Sequence, residues 1–180
     1  MLETERLILR PFTEEDAEDL FAYASDPRVG LPAGWQPHGS VEESREIIRT
    51  VFSDPLAMAV VLKETGRVIG SAGFVDRHRA ELPGPDGEIG YAISPDYWGR
   101  GLIPEAVEEL LRFGFEELGL ETIWCGHFDF NGKSRRVVEK CGFRYMLTDR
   151  TFVDLIGEER TELHYALTRE EWAARGRHAT

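Results

Sequence analysis

The run Glu88-Ile89-Gly90-Tyr91-Ala92-Ile93-Ser94 and the residues that follow it, Pro95-Asp96-Tyr97-Trp98-Gly99-Arg100-Gly101-Leu102-Ile103-Pro104, limit the possible folds more than any other part of the chain. The first run reads as a strand. It passes through Gly99-Arg100-Gly101 into a helical pattern from about 102 to 118. Ile103, Val107, Leu110, Leu111, Phe115 and Leu118 mark one side of that helix, and Glu105, Glu108, Glu109, Arg112 and Glu116 the other. A second strand-like run follows at 122–128, Thr-Ile-Trp-Cys-Gly-His-Phe. Strand, helix, strand at this spacing predicts a right-handed crossover between parallel neighbours.

Around this unit the other segments read as short elements. Residues 6–12 are strand-like. Thr13 is a helix N-cap with Glu14, Glu15 and Asp16 in the first turn, Phe12 and Ala17 at staple positions, and Ala17, Leu20, Phe21 and Ala24 as the buried stripe. Pro27 ends that helix. Residues 27–40 hold three prolines and three glycines and read as a loop. Ser40 and Glu43 form a second capping box, before a helix with Ile47, Ile48, Val51 and Phe52 inward. Residues 56–63 and 66–76 form a hairpin joined at Glu64-Thr65-Gly66, and 78–87 is a loop. Asn131 caps a short helix that Gly142 terminates. Two strands follow, at 143–153 and 159–168, and then a polar tail that frays after Trp172.

This order predicts an α/β fold with a mixed, mostly antiparallel central sheet and helices on both faces. Without repeats, low-complexity stretches or a linker, 180 residues make one domain. A chain this long buries roughly 70% of its unfolded surface.

The charge balance, 21 basic against 33 acidic residues for a net −12, excludes bulk binding to a nucleic-acid backbone. It suits cationic substrates such as amines, and equally a surface kept soluble by charge. Cys125 and Cys141 are too few and too scattered for a disulfide framework or a zinc site, so reduced, buried thiols are expected and no metal. The opening Met-Leu-Glu-Thr-Glu-Arg is charged from residue 3, unlike a signal peptide, and no apolar run has membrane-spanning length. A cytoplasmic protein, monomeric or homodimeric, is expected.

At Trp98-Gly99-Arg100-Gly101-Leu102-Ile103 a strand ends and a helix opens. Helix N-termini carry unpaired N–H groups and partial positive charge, and glycine lets backbone approach an anion closely. Arg100 adds a charge. A phosphate-bearing cofactor fits these properties. A tight turn that needs glycine only for its dihedral angles fits them too. At this turn neither Gly-Lys-Ser/Thr nor a third glycine is present, so the nucleotide P-loop and dinucleotide fingerprints fail here.

Three separated motifs decide the matter together. The strand Glu88-Ile89-Gly90-Tyr91, the stretch Ser94–Ala106, and Asn131-Gly132-Lys133-Ser134-Arg135-Arg136 through Cys141-Gly142-Phe143 occur in order. In this arrangement the chain resembles the GCN5-related N-acetyltransferase superfamily. With its opening at residues 3–27, it is similar to the ribosomal-protein alanine acetyltransferase branch. The resemblance implies binding of acetyl-CoA through Trp98, Gly99, Arg100, Gly101, Leu102 and Ile103. Gly101 matches the family motif, while Trp98 and Ile103 depart from its usual residues. It implies a cofactor slotted between two splayed parallel strands, with Ile93 and Ser94 as backbone partners and Asn131 near the pantetheine arm. Asn131 also serves as a plain N-cap.

The family's usual acid, a tyrosine, is replaced here by Val138. In the ribosomal branch's Asn-x-x-Ser pattern, Ser134 implies a proton donor to the leaving thiolate, or a polar residue at a helix start. Glu88 is the candidate base, against a surface glutamate beside a glycine loop. Asp76, His78 and His127 are weaker candidates. Arg135 and Arg136 meet phosphates or form a solvated helix face. Leu31, Trp35 and His38 are expected to line the acceptor side. The implied activity is acetyl transfer to a primary amine, a protein N-terminus or a small amine, by direct attack. The alternative is a non-catalytic acyl-CoA-binding module of the same fold.

Overall fold

The computed structural model describes residues 1–176. Its strands are β1 (Leu2–Glu3), β2 (Leu7–Pro11), β3 (Ala57–Leu62), β4 (Arg67–Val75), β5 (Asp86–Ile93), β6 (Thr122–Phe128), β7 (Arg144–Val153) and β8 (Glu158–Thr168). They form one sheet in the order β1-β2-β3-β4-β5-β6-β8-β7. Every pairing is antiparallel except β5 with β6, the parallel pair expected across the crossover.

The sheet divides two cores by simple alternation along its strands. In β3, Met58, Val60 and Leu62 face one side, and Ala59 and Val61 the other. The first side is covered by α4 (Leu102–Glu116) and α5 (Gly132–Lys140), with Leu110, Leu111 and Phe115 fully buried. The second is covered by α1 (Ala17–Ala24), α2 (Pro27–Ala33) and α3 (Val41–Thr50), through Leu20, Val29 and Ile48. A central strand buried on both faces is continuously apolar, which is why Ala-Met-Ala-Val-Val-Leu shows no polar alternation.

Local chemistry sets the helix starts. A 3-10 turn, Glu14–Asp16, precedes α1, and the Asp16 carboxylate accepts from Thr13 N–H at 2.8 Å. In α3, Ser40 Oγ accepts from Glu43 N–H at 3.0 Å.

The structure corrects two expectations. Residues 27–33 are helical rather than a loop. Asp26 Oδ1 accepts from Arg28 N–H at 2.9 Å, Pro27 occupies the first turn, where a missing N–H costs nothing, and Gly34 closes the helix at φ +92°. The tail continues as α6 (Arg169–Arg175), held by a Thr168–Glu171 capping box and by Trp172 against Phe115, ring centroids 5.4 Å apart. The tail beyond 176 lies outside the described residues.

Candidate active site

Pairing between β5 and β6 runs from Asp86/Thr122 to Ile89/Cys125 and stops. Beyond that point β5 stays paired with β4 and β6 with β8, so a gap opens between Gly90–Ile93 and Gly126–Phe128. Ser94 N–H donates to Ile69 O at 2.8 Å, and its carbonyl accepts from Tyr97 N–H at 3.0 Å. Backbone groups alternate sides along a strand, so Tyr91 and Ile93 turn theirs to the gap. Ser94, expected as a backbone partner, has both groups already occupied.

Beside the gap lies a cavity of about 670 Å³. Ile93, Trp98, Gly99, Gly101, Leu102 and Ile103 line one wall, and Asn131, Ser134 and Val137 another. Gly99 and Gly101 have φ of +75° and +73°, where a Cβ costs roughly 1–2 kcal/mol. The turn therefore needs glycine for its dihedral angles. Yet the N–H groups of Gly99, Arg100, Gly101, Leu102 and Ile103 donate to no protein acceptor among the described residues. The next amide, Glu105, bonds Gly101 O at 3.2 Å, and Pro104 has none. Five successive free donors meet the positive end of a 15-residue helix, which suits a diphosphate. Leu102 and Ile103 bury their side chains in the core, so their backbone amides remain available at the helix start.

Cations collect at the same cavity in a chain of net charge −12. Arg28, Lys133, Arg136 and Lys140 all line it. Lys133 Nζ lies 4.0 Å from the centroid of the Trp98 ring, and the Arg28 guanidinium 5.7 Å. Arg135 instead pairs with Glu139 at 2.9 Å on the exposed face, and Arg100 lies over Tyr97 at 5.1 Å, outside the cavity lining.

At the cavity's inner end Asn131 caps α5, its Oδ1 accepting from Ser134 N–H at 3.2 Å. Ser134 is buried, and its Oγ lies 2.6 Å from the Tyr91 hydroxyl. Burial holds the Tyr91 hydroxyl's pKa well above the ordinary value, so it keeps its proton. Val138 is fully buried in the core.

Glu88 faces the opposite side of the sheet from Tyr91. It is only 4% exposed, not a surface residue, because loop 76–85 and β8 cover it. Arg77 Nη1 approaches its Oε1 at 3.3 Å, while Oε2 has no hydrogen-bond partner among the described residues. Burial raises the Glu88 pKa above the usual carboxylate value, against the pull of Arg77. Glu88 and Ser134 thus lie on opposite faces of the sheet, with Glu88 in the last paired stretch before the gap.

The weaker candidates have structural occupations. His127 bonds Phe128 O at 2.7 Å and Tyr165 OH at 3.1 Å. His78 is solvent-facing between Asp86 and Asp76. Burial pushes the Cys125 thiol up, and Cys141 to about 12, so both stay neutral and unreactive. Leu31, Trp35 and His38 do not line the cavity. The Trp35 and His38 rings meet at a tilt, centroids 5.4 Å apart, beside the second core, and Leu31 O accepts from Arg160. Arg28, Val29, Pro32 and Ala33 of α2 line it instead. Tyr91 beside Ser134, and Glu162 and His164 beside Glu88, carry no role in the sequence reading. Only the β8 alternation, which puts Glu162 and His164 on one face, carried any signal of the last two.

A mostly antiparallel sheet that parts at its one parallel pair, beside an amide-lined helix start, is the architecture of an acyl-CoA N-acyltransferase. Residues 6–144 match the acetyltransferase (GNAT) domain, and the chain belongs to that family of enzymes. It is 33% identical over 152 residues to the uncharacterized N-acetyltransferase YoaA of Bacillus subtilis (strain 168), covering 80% of this chain and 82% of that one. The crystal structure of a GNAT-family acetyltransferase from Bacillus anthracis superposes with a TM-score of 0.80 at 27% identity, over 94% of this chain and 99% of that one. The ribosomal-protein-S5-alanine acetyltransferase of Vibrio fischeri shares the fold, with a TM-score of 0.73 at 22% identity over 94% of this chain and 97% of that one. No helix among the described residues is long and apolar enough to cross a membrane.

Proposed function

We propose that this N-acetyltransferase moves the acetyl group of acetyl-CoA to a primary amine by direct attack. The observation that carries the reading is the row of five free amides, Gly99 to Ile103, opening on a cavity with four cationic side chains. Those amides, with Arg136 and Lys140, hold the diphosphate. The backbone of Ile93 and Tyr91 pairs with the pantetheine arm along the gap, and Asn131 borders it. Acetyl-CoA supplies a thioester that an unprotonated amine attacks, leaving a thiolate.

Glu88 takes the proton that the amine must lose, its raised pKa bringing it closer to neutrality. Ser134 Oγ donates a hydrogen bond towards the departing thiolate while accepting one from the Tyr91 hydroxyl at 2.6 Å, which keeps its proton. Tyr91 thus takes up work that Val138 cannot perform.

The test is thiol release from acetyl-CoA, followed with a panel of alkylamines and short peptides with free N-termini. The expected result is release well above the amine-free rate, with acetylated product seen by mass spectrometry. Coenzyme binding with no amine-dependent release would favour an acyl-CoA-binding module instead.

A further inference from the structure

The Glu88 face of the sheet holds more charge than one base requires. Glu162 and His164 on β8 lie beside Glu88, with ligand-type atoms of all three within 4.8 Å of one another, and all three are buried. One cation serves both carboxylates. Arg77, on the loop between β4 and β5, places Nη1 3.3 Å from Glu88 Oε1 and 3.3 Å from Glu162 Oε1, and Nη2 3.4 Å from Glu162 Oε2.

These are loose contacts. Charge-assisted N–H···O bonds settle near about 2.7–2.9 Å, and the chain achieves this elsewhere, as in Arg10–Asp16 at 2.8 and 2.9 Å. The Arg77 side chain is also 49% exposed. Meanwhile Glu88 Oε2 is buried with no partner, a costly state for a carboxylate. Arg79 makes no hydrogen bond to it: its Nη2 is engaged with His164 at 2.9 Å, its guanidinium lies over Trp124, and its Nε is itself buried without a partner among the described residues. Outside the loop an open cavity of about 580 Å³ is lined by Arg77 to Glu81. Inside, the gap is flanked on this face by Gly90 and Gly126. A Cβ on Gly126 would stand 3.1 Å from Glu162 Oε1 and 3.3 Å from His164 Nδ1, so glycine keeps the carboxylate's surroundings open.

We propose that Glu88 and Glu162 form a subsite for the ammonium group of the acceptor, and that Arg77 is its displaceable stand-in. Arg77 neutralises the two carboxylates in the resting protein. A primary ammonium entering past loop 76–85 takes its place, reaches the unpartnered Glu88 Oε2, and lies at the gap opposite Ser134. The identity of the occupant rests on the acetyltransferase reading. The existence of a cation site does not.

The test uses binding rather than turnover, with n-propylamine as the cationic probe and n-propanol as its uncharged counterpart. Titrations of the nitrogen-15-labelled full chain are followed at the Gly90 and Gly126 amides. Arg77→Ala is expected to bind propylamine roughly fivefold more tightly than the wild type, because the internal competitor is gone. Glu162→Gln is expected to bind it about tenfold more weakly. Ethylguanidine should occupy the hole in Arg77→Ala and compete with propylamine, while propanol should bind neither protein. Coenzyme A affinity should be unchanged throughout. Unchanged or weaker propylamine binding in Arg77→Ala, no competition by ethylguanidine, or equal binding of propanol each overturns the proposal. Because Arg77 is half-exposed, its variants decide the matter even if Glu162→Gln does not fold. Propylamine binding without amine-dependent thiol release would strike the acetyltransferase reading alone. Release with no effect at Arg77 would strike only the subsite.

Discussion

Two hydroxyls, 43 residues apart in sequence, meet at 2.6 Å where the leaving sulfur is proposed to lie. If Tyr91 and Ser134 act as one relay, removing either hydroxyl should cost about as much as removing both. Tyr91→Phe and Ser134→Ala are each expected to lower kcat roughly 10²-fold, with coenzyme A affinity unchanged. The double variant should be no slower than the worse single one, as single-turnover rates of the three proteins would show. Glu88 sets the acid side of the pH profile. Burial, the dominant cause, raises its pKa above 4.5 against the opposing charge of Arg77. The basic form is therefore lost as pH falls through that raised value, and kcat/KM should decline on the acid side before an ordinary glutamate titrates. Glu88→Gln should abolish that limb and lower the rate roughly 10²–10⁴-fold, measured as kcat/KM against pH.

The start of α1 shows how one carboxylate organises an element. Asp16 accepts from Thr13 N–H and from both Arg10 Nη atoms while nearly buried. Burial pushes its pKa up, but the bonds from Arg10 and Thr13 outweigh that, and the net shift is downward. A carboxylate with a depressed folded pKa stabilises above its unfolded value, and the contribution disappears as pH falls through the folded one. Asp16→Asn should cost about 1–3 kcal/mol at neutral pH, and the gap in melting temperature between variant and wild type should close below about pH 4. Elements with clear stop and start residues were legible in the chain. β6 at 122–128 and α5 between Asn131 and Gly142 fell where their caps and alternation placed them. For α2 the signals were also present, in Asp26, Pro27 and Gly34, but Pro32 and Gly30 inside the segment argued against a helix. Packing overruled them: a Cβ on Gly30 would lie 2.6 Å from the Trp35 ring, so glycine there permits the helix to close on its own exit chain.

Across the whole molecule, the legible part was the parallel pairing of two strands across the crossover and the glycine turn between them. The illegible part was everything made by distant segments meeting. Arg77 reaches Glu162 across 85 positions, and Lys133 of α5 joins Trp98 of the glycine turn. Long polar side chains carry no periodic signal of where they end, so neither the cation cluster nor the buried carboxylate pair could be read from spacing. The two cores share every strand from β2 to β4 as a common wall, so neither can melt while the other persists. Far-UV circular dichroism and tryptophan fluorescence should therefore trace one coincident denaturant transition. Separate midpoints would instead mark independently folding units.

Trp98 gives this arrangement an optical handle. Of the chain's four indoles, at 35, 98, 124 and 172, it alone borders the cavity lined by the free amides. Its ring faces the Lys133 ammonium at 4.0 Å. An anion drawn to that ammonium changes the charge felt by the indole, so occupancy can be followed by the protein's own emission without a dye or a radiolabel.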